Sequence, residues 1–178
     1  GNYGMMDSDE REEMKEAMKY GQVDVIQPCY SLLWRYDEEL LGFSRENNIS
    51  VIPYSTLAQG LLTGKYKKGA VFTDGRSRAA LFQPENYDRC LEVTEVLAQV
   101  SEKYGKTPAQ GAIAWLLQTP GITAPIVGAK NGKQARENLE ASGWKFLPED
   151  YEAIDQASRK FTQSLPNYTL FFNTETAD

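Results

Sequence analysis

Histidine is entirely absent from this chain of 178 residues, and only two cysteines, Cys29 and Cys90, are present. Because zinc sites are built mainly from these two residue types, the composition argues against a zinc centre and we expect no metal. Two cysteines far apart in sequence also do not make the dense disulfide framework of small secreted domains. Cys90 falls on an apolar stripe at helical spacing, which predicts a small core residue.

Positive charge is also in short supply. The chain has 19 Lys and Arg against 25 Asp and Glu, which gives a formal net charge of −6. Nucleic-acid-binding proteins usually show a basic patch, whereas the cations here are scattered apart from one local group. No apolar run is long enough to span a bilayer, and the first residues lack the pattern of a signal peptide. We therefore expect a cytoplasmic protein without nucleic-acid or membrane partners.

Helix-like and strand-like segments alternate along the sequence. Apolar periodicity and cap residues, among them Thr107 with Gln110 and also Asn131, predict helices over 8–20, 36–47, 85–104, 107–118, 131–142 and 147–161. Short β-branched runs predict strands over 23–27, 49–55 and 123–129. This alternation indicates an α/β fold with a parallel sheet. Since the strands lack a clean polar alternation, we expect both faces of the sheet to be covered.

The stretch between residues 56 and 84 is long, irregular and rich in Gly, Thr, Lys and Arg. Such lengths without secondary structure are uncommon in compact domains and are often functional or disordered. Two interpretations stay open, namely a surface insertion and a loop that covers a ligand.

The three predicted strands end in polar or glycine residues. Ligands of parallel α/β folds bind beyond the carboxyl ends of the strands, which here are Gln27, Tyr54 followed by Ser55, and Gly128 followed closely by Lys130. None of these is a strong acid or base, so they suit binding better than catalysis. An amide buried at the end of an apolar strand needs a hydrogen-bond partner, whereas an aromatic ring at such a position either packs or stacks on a ligand.

The third strand end has the strongest charge signal. A glycine turn directly precedes a predicted helix, whose free N–H groups and dipole favour an anion. Lys130, Lys133 and Arg136 add positive charge there in an otherwise acidic chain. A phosphate site is one interpretation and a solvated helix start is the other. Ordinary capping-box or solvent-facing roles are the alternatives for Gln134, Glu137 and Asn138.

Three segments in this order carry a resemblance to a known family: VDVIQPCYSLLWR, SVIPYSTLAQGLLTGKY and APIVGAKNGKQARENL. They resemble the C-terminal portion of the aldo-keto reductases, and AIAWLLQTPGI is similar to the helix and turn before the last barrel strand of that family. The resemblance runs from Asn2 to about Phe161. It implies a (β/α)8 barrel that binds NADP(H), and sometimes NAD(H), across the carboxyl ends of its strands.

The resemblance also implies roles for matching positions at the nicotinamide end of the cofactor. Asn2 and Gln27 would hold the nicotinamide carboxamide, although the serine that accompanies this asparagine in the family is replaced by Gly1. Tyr54 would stack on the nicotinamide ring. The pyrophosphate would be lined by Ser55, Leu57, Gly60 and, close by, Lys65.

At the adenosine end, the resemblance and the charge pattern agree. Gly128, Lys130 and Gln134 would bracket the adenosine 2′-phosphate, and Glu137 and Asn138 would bracket the adenine. The cation cluster at the same place favours NADP(H) over NAD(H).

The chain departs from the family in its catalytic residues. The Asp, Tyr, Lys and usual His of the family tetrad belong to motifs of the N-terminal half, and none of those motifs is present here. We therefore assign no catalytic residue. Tyr54 and Lys65 match cofactor-binding positions and do not fill the vacancy, so we expect the chain to be inactive by itself.

Taken together, the resemblance predicts the C-terminal part of a (β/α)8 TIM barrel, with about three βα units and a C-terminal helix. Residues 1–178 would form a single partial domain, with 162–178 as a mobile tail. A complete barrel typically needs about 250 residues, and open sheet edges favour association. Three alternatives stay open. The missing half would be a separate or cleaved chain, the fragment would pair with itself, or the sequence would be a partial open reading frame.

Three functional hypotheses follow. The first is the NADP(H)-binding portion of an oxidoreductase that reduces aldehydes or ketones to alcohols by hydride transfer. The second is a non-catalytic nucleotide-binding or regulatory module, because the potassium-channel β subunits resemble the same family. The third is a truncated fragment that associates through its open sheet edges and binds no ligand.

Overall fold

The structure is a computed structural model that describes residues 9–166. Its α-helices are α1 (Asp9–Met18), α2 (Glu38–Glu46), α3 (Pro84–Glu102), α4 (Pro108–Gln118), α5 (Gly132–Leu139) and α6 (Pro148–Thr162). Two short strands, β1 (Val25–Ile26) and β2 (Ser50–Val51), lie between the first three helices. Each predicted helix is confirmed, with shifts of a few residues at its ends.

The two strands pair in parallel, as predicted, with Val25 opposite Ser50. The predicted third strand over 123–129 is wrong as a regular strand, because only an isolated bridge joins Val51 to Ile122. The segment nevertheless follows β2, since the Ile126 N–H donates to the Pro53 carbonyl at 2.9 Å. Pro125 has no N–H to donate, so it cannot take part in a continuous ladder there.

The predicted helix caps are confirmed at α4 and α5. Thr107 and Gln110 form a reciprocal capping box, with the Thr107 N–H donating to Gln110 Oε1 at 2.9 Å. Asn131 Oδ1 accepts from the Gln134 N–H at 3.0 Å. Each cap satisfies a backbone N–H that the first helical turn leaves unpaired.

The hydrophobic core lies between the sheet and α3, α4 and α6. The stripe predicted on α3 is confirmed, since Cys90, Val93, Leu97 and Val100 are buried. Trp115 of α4 is also fully buried, and a residue of this size dominates the apolar area removed from water.

The irregular stretch over 56–84 is anchored at both ends. Three short 3₁₀ helices occupy Ala58–Thr63, Gly75–Arg78 and Ala80–Phe82. Leu61 and Leu62 are fully buried. The segment is therefore held against the core, and the interpretation as a mere surface insertion is wrong for its ends, although residues 67–71 are exposed.

Charged side chains dock α6 onto the start of α2. Arg35 Nη1 lies 2.7 Å from Asp155 Oδ1, and Arg159 Nη2 lies 2.8 Å from Glu38 Oε1. Burial opposes ionisation of Glu38, but hydrogen bonds from Arg35 and Arg159 outweigh burial and lower the pKa of this carboxyl. After α6, Pro166 is tied down by the Tyr36 hydroxyl, which donates to its carbonyl at 2.6 Å.

One side of the sheet is open. Val25 of β1 is 48% exposed, and Ile126, which runs beside β2, is 43% exposed. The expectation that both faces of the sheet are covered is therefore wrong for the described residues. Among residues 9–166, none of the helices has the length and apolarity required to cross a membrane.

Candidate nucleotide-binding site

The loop after β2 has an unusual backbone. Four of the six residues between 55 and 60 have a positive φ: Ser55 (56°), Ala58 (46°), Gln59 (53°) and Gly60 (96°). Residues other than glycine adopt this region rarely, at about 1–3 kcal/mol each, and such residues cluster at functional sites. Local hydrogen bonds hold the turn, including the Gly60 N–H to the Leu57 carbonyl at 2.8 Å.

Lys65 lies directly over Gly60. A Cβ atom added to this glycine would lie 2.7 Å from Lys65 Nζ and 3.4 Å from the Tyr66 hydroxyl oxygen. The Lys65 ammonium also lies 4.7 Å from the centroid of the Tyr66 ring. The loop thus combines a cation with a bare stretch of backbone, which is a combination that suits an anion such as a phosphate. Ser55, Leu57, Gly60 and Lys65 all belong to this one loop.

Tyr54 joins the loop to the segment that follows β1. Its backbone N–H donates to the Pro28 carbonyl at 3.0 Å, and its carbonyl accepts from the Tyr30 N–H at 3.3 Å. The Tyr54 side chain is half-buried against the core. Packing and ligand stacking are compatible with this position, because the core covers only part of the side chain.

Cys29 lies beside Tyr54 and Ser55 but is not a nucleophile. The thiol is buried, and burial raises its pKa well above the ordinary range. Hydrogen bonds from Ser55 and Tyr54 oppose this shift without reversing it. Since the thiolate is the reactive form, Cys29 remains an inert neighbour of the loop at neutral pH.

Gln27 is exposed, so the prediction of a buried amide at this strand end is wrong. That prediction assumed a covered sheet, whereas Gln27 directly follows β1 and, like Val25 two residues earlier, is exposed. An exposed carboxamide satisfies its hydrogen bonds with water or with a ligand. Asn2, the other residue expected at the nicotinamide, lies outside the described residues.

The turn before α5 is held by its own polar side chains. Gln134 Oε1 accepts from the Lys130 N–H at 2.7 Å, and Asn138 Nδ2 donates to the Gly128 carbonyl at 3.2 Å. Gln134 thus caps the residue before Asn131, one position earlier than a capping box requires. Gln134 and Asn138 therefore shape the segment from Gly128 to Asn131.

Three exposed cations surround the first turns of α5. Lys133 Nζ lies 3.8 Å from Glu137 Oε1, which partly neutralises this lysine. The Arg136 guanidinium folds back, so that Nη2 lies 3.7 Å from where a Cβ of Gly132 would be. Lys130 completes the group. The cluster adds positive charge to a helix start that already favours anions.

The two segments are connected through Thr56. This residue is buried, and its hydroxyl donates to the Ile126 carbonyl at 2.8 Å. The loop after β2 is thereby tied to the chain that leads to Gly128 and α5. The structure brings the predicted pyrophosphate residues together in one loop and the predicted adenosine residues together around one turn.

A group of residues around Tyr66 was missed by the sequence analysis. The Arg76 guanidinium stacks 5.6 Å from the Tyr66 ring centroid and 4.9 Å from that of Phe72. Asp74 binds Arg76 through both carboxylate oxygens, and these hydrogen bonds lower the pKa of Asp74 to about 2. No pattern in the sequence indicates this group, because it depends on how the 66–78 segment folds back.

Comparison with known proteins shows the family to which this chain belongs. The family model described as "Aldo/keto reductase family" matches residues 2–159. The NADH-specific methylglyoxal reductase of Escherichia coli strain K12 is 35% identical over 131 residues, covering 73% of this chain and 40% of that protein. A probable voltage-gated potassium channel subunit beta of Arabidopsis thaliana is 35% identical over 128 residues, covering 66% and 38%.

A solved structure is similar as well. The glycerol dehydrogenase of Gluconobacter oxydans matches with a TM-score of 0.78 and 27% identity, over 84% of this chain and 46% of that protein. This α/β chain has loops suited to binding anions beyond its strand ends, and it belongs to the aldo/keto reductase family. It spans less than half the length of the relatives that it matches.

Proposed function

We propose that this chain is the NADP(H)-binding portion of an oxidoreductase that reduces aldehydes or ketones to alcohols by hydride transfer. When bound, the cofactor supplies the hydride. The residues of this chain bind and orient the cofactor, and the proton donor belongs to the N-terminal half of the barrel. The chain by itself is expected to bind nucleotide without turnover.

The observation that carries this proposal is the loop from Ser55 to Gly60, with Lys65 above it. Its backbone is strained at three residues other than glycine, Ser55, Ala58 and Gln59, directly beyond the carboxyl end of a parallel strand. Parallel α/β folds bind their ligands at this place, and a lysine beside a bare glycine can neutralise a pyrophosphate. The Tyr54 ring would then stack on the nicotinamide and Gln27 would hold its carboxamide, with Asn2 as a further candidate.

The preference for NADP(H) rests on the cations near α5. Lys130, Lys133 and Arg136 can neutralise a 2′-phosphate, while Gly128 and Gln134 shape the turn that would receive it. The adenine would lie near Glu137 and Asn138. NAD(H) is the alternative, since one relative is by name an NADH-specific reductase.

The proposal includes a fold that is completed by another chain segment. Residues 1–178 would be a single partial domain from the C-terminal part of a (β/α)8 barrel. The exposed Val25 and Ile126 fit a sheet that continues or closes against a partner. The missing N-terminal half is the favoured occupant and a second copy is the alternative. A cytoplasmic location agrees with this function.

Titration of the purified chain with NADPH and, separately, with NADH tests the proposal through nucleotide fluorescence. We expect saturable binding that prefers NADPH and no turnover of an aldehyde panel. Reversing the charge at Lys130 should reduce the preference, whereas reversing it at Lys160, an exposed lysine of α6, should not. Absence of binding to either nucleotide would contradict the proposal for the isolated chain.

A non-catalytic nucleotide-binding or regulatory module is the second candidate. One relative is by name a probable potassium channel subunit. Supplying the N-terminal half of a related reductase discriminates between the two, because turnover supports the enzyme and binding without turnover supports the module.

A further inference from the structure

The Tyr66 hydroxyl lies where the loop 55–60 meets the segment 66–78. It donates to the Gln59 carbonyl at 3.3 Å and accepts a hydrogen bond from Arg76 Nη1. It also lies 3.4 Å from where a Cβ of Gly60 would be. One hydroxyl therefore connects the strained backbone to the segment that follows it.

Arg76 is itself fixed in place. Asp74 Oδ1 accepts from Arg76 Nε at 2.9 Å, and Asp74 Oδ2 accepts from Arg76 Nη2 at 2.6 Å. A bidentate pair of this kind sets the plane of the guanidinium as well as its position. Because Arg76 also stacks on Phe72 and Tyr66, its Nη1 atom is directed at the Tyr66 hydroxyl. The hydroxyl can then donate its proton to Gln59.

The peptide between Gln59 and Gly60 is held at both ends. Its carbonyl accepts from Tyr66, and its N–H donates to the Leu57 carbonyl at 2.8 Å. Both residues have a positive φ, so this peptide is part of the strained backbone. Fixing the peptide plane also fixes the face of Gly60 on which Lys65 lies.

We infer that Tyr66, oriented by Arg76 and Asp74, is a positioning residue for the loop 55–60, which would hold the pyrophosphate of a bound nucleotide. This inference rests on the proposed function and adds to it a residue that does not itself contact the cofactor. The Tyr66 ring is anchored separately, since it packs edge-on against Phe72 at 5.2 Å and Phe82 at 6.1 Å. Removing the hydroxyl should therefore free the loop without unfolding the core.

The first test measures the loop without nucleotide. In Tyr66→Phe, exchange of the Gly60 amide hydrogen should become about two- to tenfold faster, as expected for the loss of one hydrogen bond. Tyr104→Phe is the matched control, because the Tyr104 hydroxyl also bonds a polar partner, Asp150, within an aromatic cluster. Unchanged exchange at Gly60 would overturn the inference whether or not the chain binds nucleotide.

The second test separates the parts of the cofactor. Tyr66→Phe should weaken NADPH and ADP-ribose, which contain the pyrophosphate, by about two- to tenfold, and should leave 2′-AMP unchanged. A variant that was merely less well folded would lose affinity for all three ligands. Equal affinity of the variant and the original chain for NADPH would overturn the inference.

The two tests also keep the inference apart from the proposed function. If the original chain fails to bind NADPH, the proposed function fails for the isolated chain and the assigned role of Tyr66 in binding fails with it. If the original chain binds but Tyr66→Phe leaves either the Gly60 exchange or the affinity for NADPH unchanged, only the inference fails.

Discussion

Gly60 combines an unusual backbone conformation with a close contact to a cation, Lys65. Its φ of 96° is unfavourable for any side chain, and the space of its missing Cβ is occupied by the end of Lys65. A side chain at this position would have two effects, because it would strain the backbone and would also displace the Lys65 ammonium. These two effects can be separated, because the chain contains a second glycine that has only the first.

We therefore predict that Gly60→Ala lowers both the free energy of unfolding and the affinity for nucleotide. The positive φ should cost about 1–2 kcal/mol, and displacement of Lys65 should weaken binding further. Gly69→Ala is the matched control, since Gly69 has a φ of 76° but nothing within 4 Å of an added Cβ. Thermal unfolding and NADPH titration of both variants check the prediction, and equal loss of affinity in the two would contradict it.

The residues of the candidate site differ in how far the sequence predicts their positions. The placement of Ser55, Leu57, Gly60 and Lys65 in one loop could be predicted because they lie within eleven consecutive positions, whereas their role at a pyrophosphate stays a prediction. Arg76 could not, because its contact with Tyr66 depends on the path of the intervening chain. The prediction for Gln27 failed because burial is a property of the whole sheet and not of one strand.

At the scale of elements, α3 and α4 approach each other closely at Gly111. A Cβ added there would lie 2.0 Å from Ser101 Oγ and 3.1 Å from Leu97 Cδ1. The glycine thus determines the distance between two helices that both bury side chains in the core. Since interiors are close-packed, neither helix can yield without disturbing its other contacts.

We predict that Gly111→Ala lowers the free energy of unfolding by about 1–3 kcal/mol through overpacking. Gly42→Ala is the matched control, because Gly42 lies in α2 with nothing within 4 Å of an added Cβ. That change should instead stabilise by about 0.5–1 kcal/mol, as expected for alanine within a helix. Urea unfolding measures both, and a stabilising Gly111→Ala would refute the assigned contact.

Elements also differ in how well the sequence predicts them. The helices with local caps, such as Thr107 with Gln110, were predicted because the cap and the helix lie within a few residues of each other. The third strand was wrong because a strand needs partners from distant parts of the chain, and Pro125 prevents a continuous ladder.

At the scale of the whole molecule, the open side of the sheet is the main feature. Val25 and Ile126 flank β2 and are about half exposed. Apolar side chains beside an open parallel strand favour association with another chain. Val51, which faces the opposite side of β2, is fully buried, so the asymmetry is a property of the assembled fold that no single segment reveals.

We predict that the purified chain shows a mass that increases with concentration, and that the double variant Val25→Asp with Ile126→Asp reduces this increase. Both positions are exposed, so the substitutions should change the free energy of unfolding by only about 0.5 kcal/mol each. Val71→Asp is the control, because Val71 is 86% exposed but belongs to the exposed segment 67–71 and not to a strand. Sedimentation velocity checks this, and a concentration-independent monomer would contradict it.

The hydrogen bond from Thr56 to the Ile126 carbonyl has a consequence for affinity. It ties the loop after β2 to the segment before α5 in one frame, so that a ligand reaching both segments would bind the second at a high effective concentration. Two separate phosphates would gain nothing from that frame. Under the proposed function the site would thus discriminate by ligand length, and an extended dinucleotide would gain affinity that neither of its halves can obtain alone.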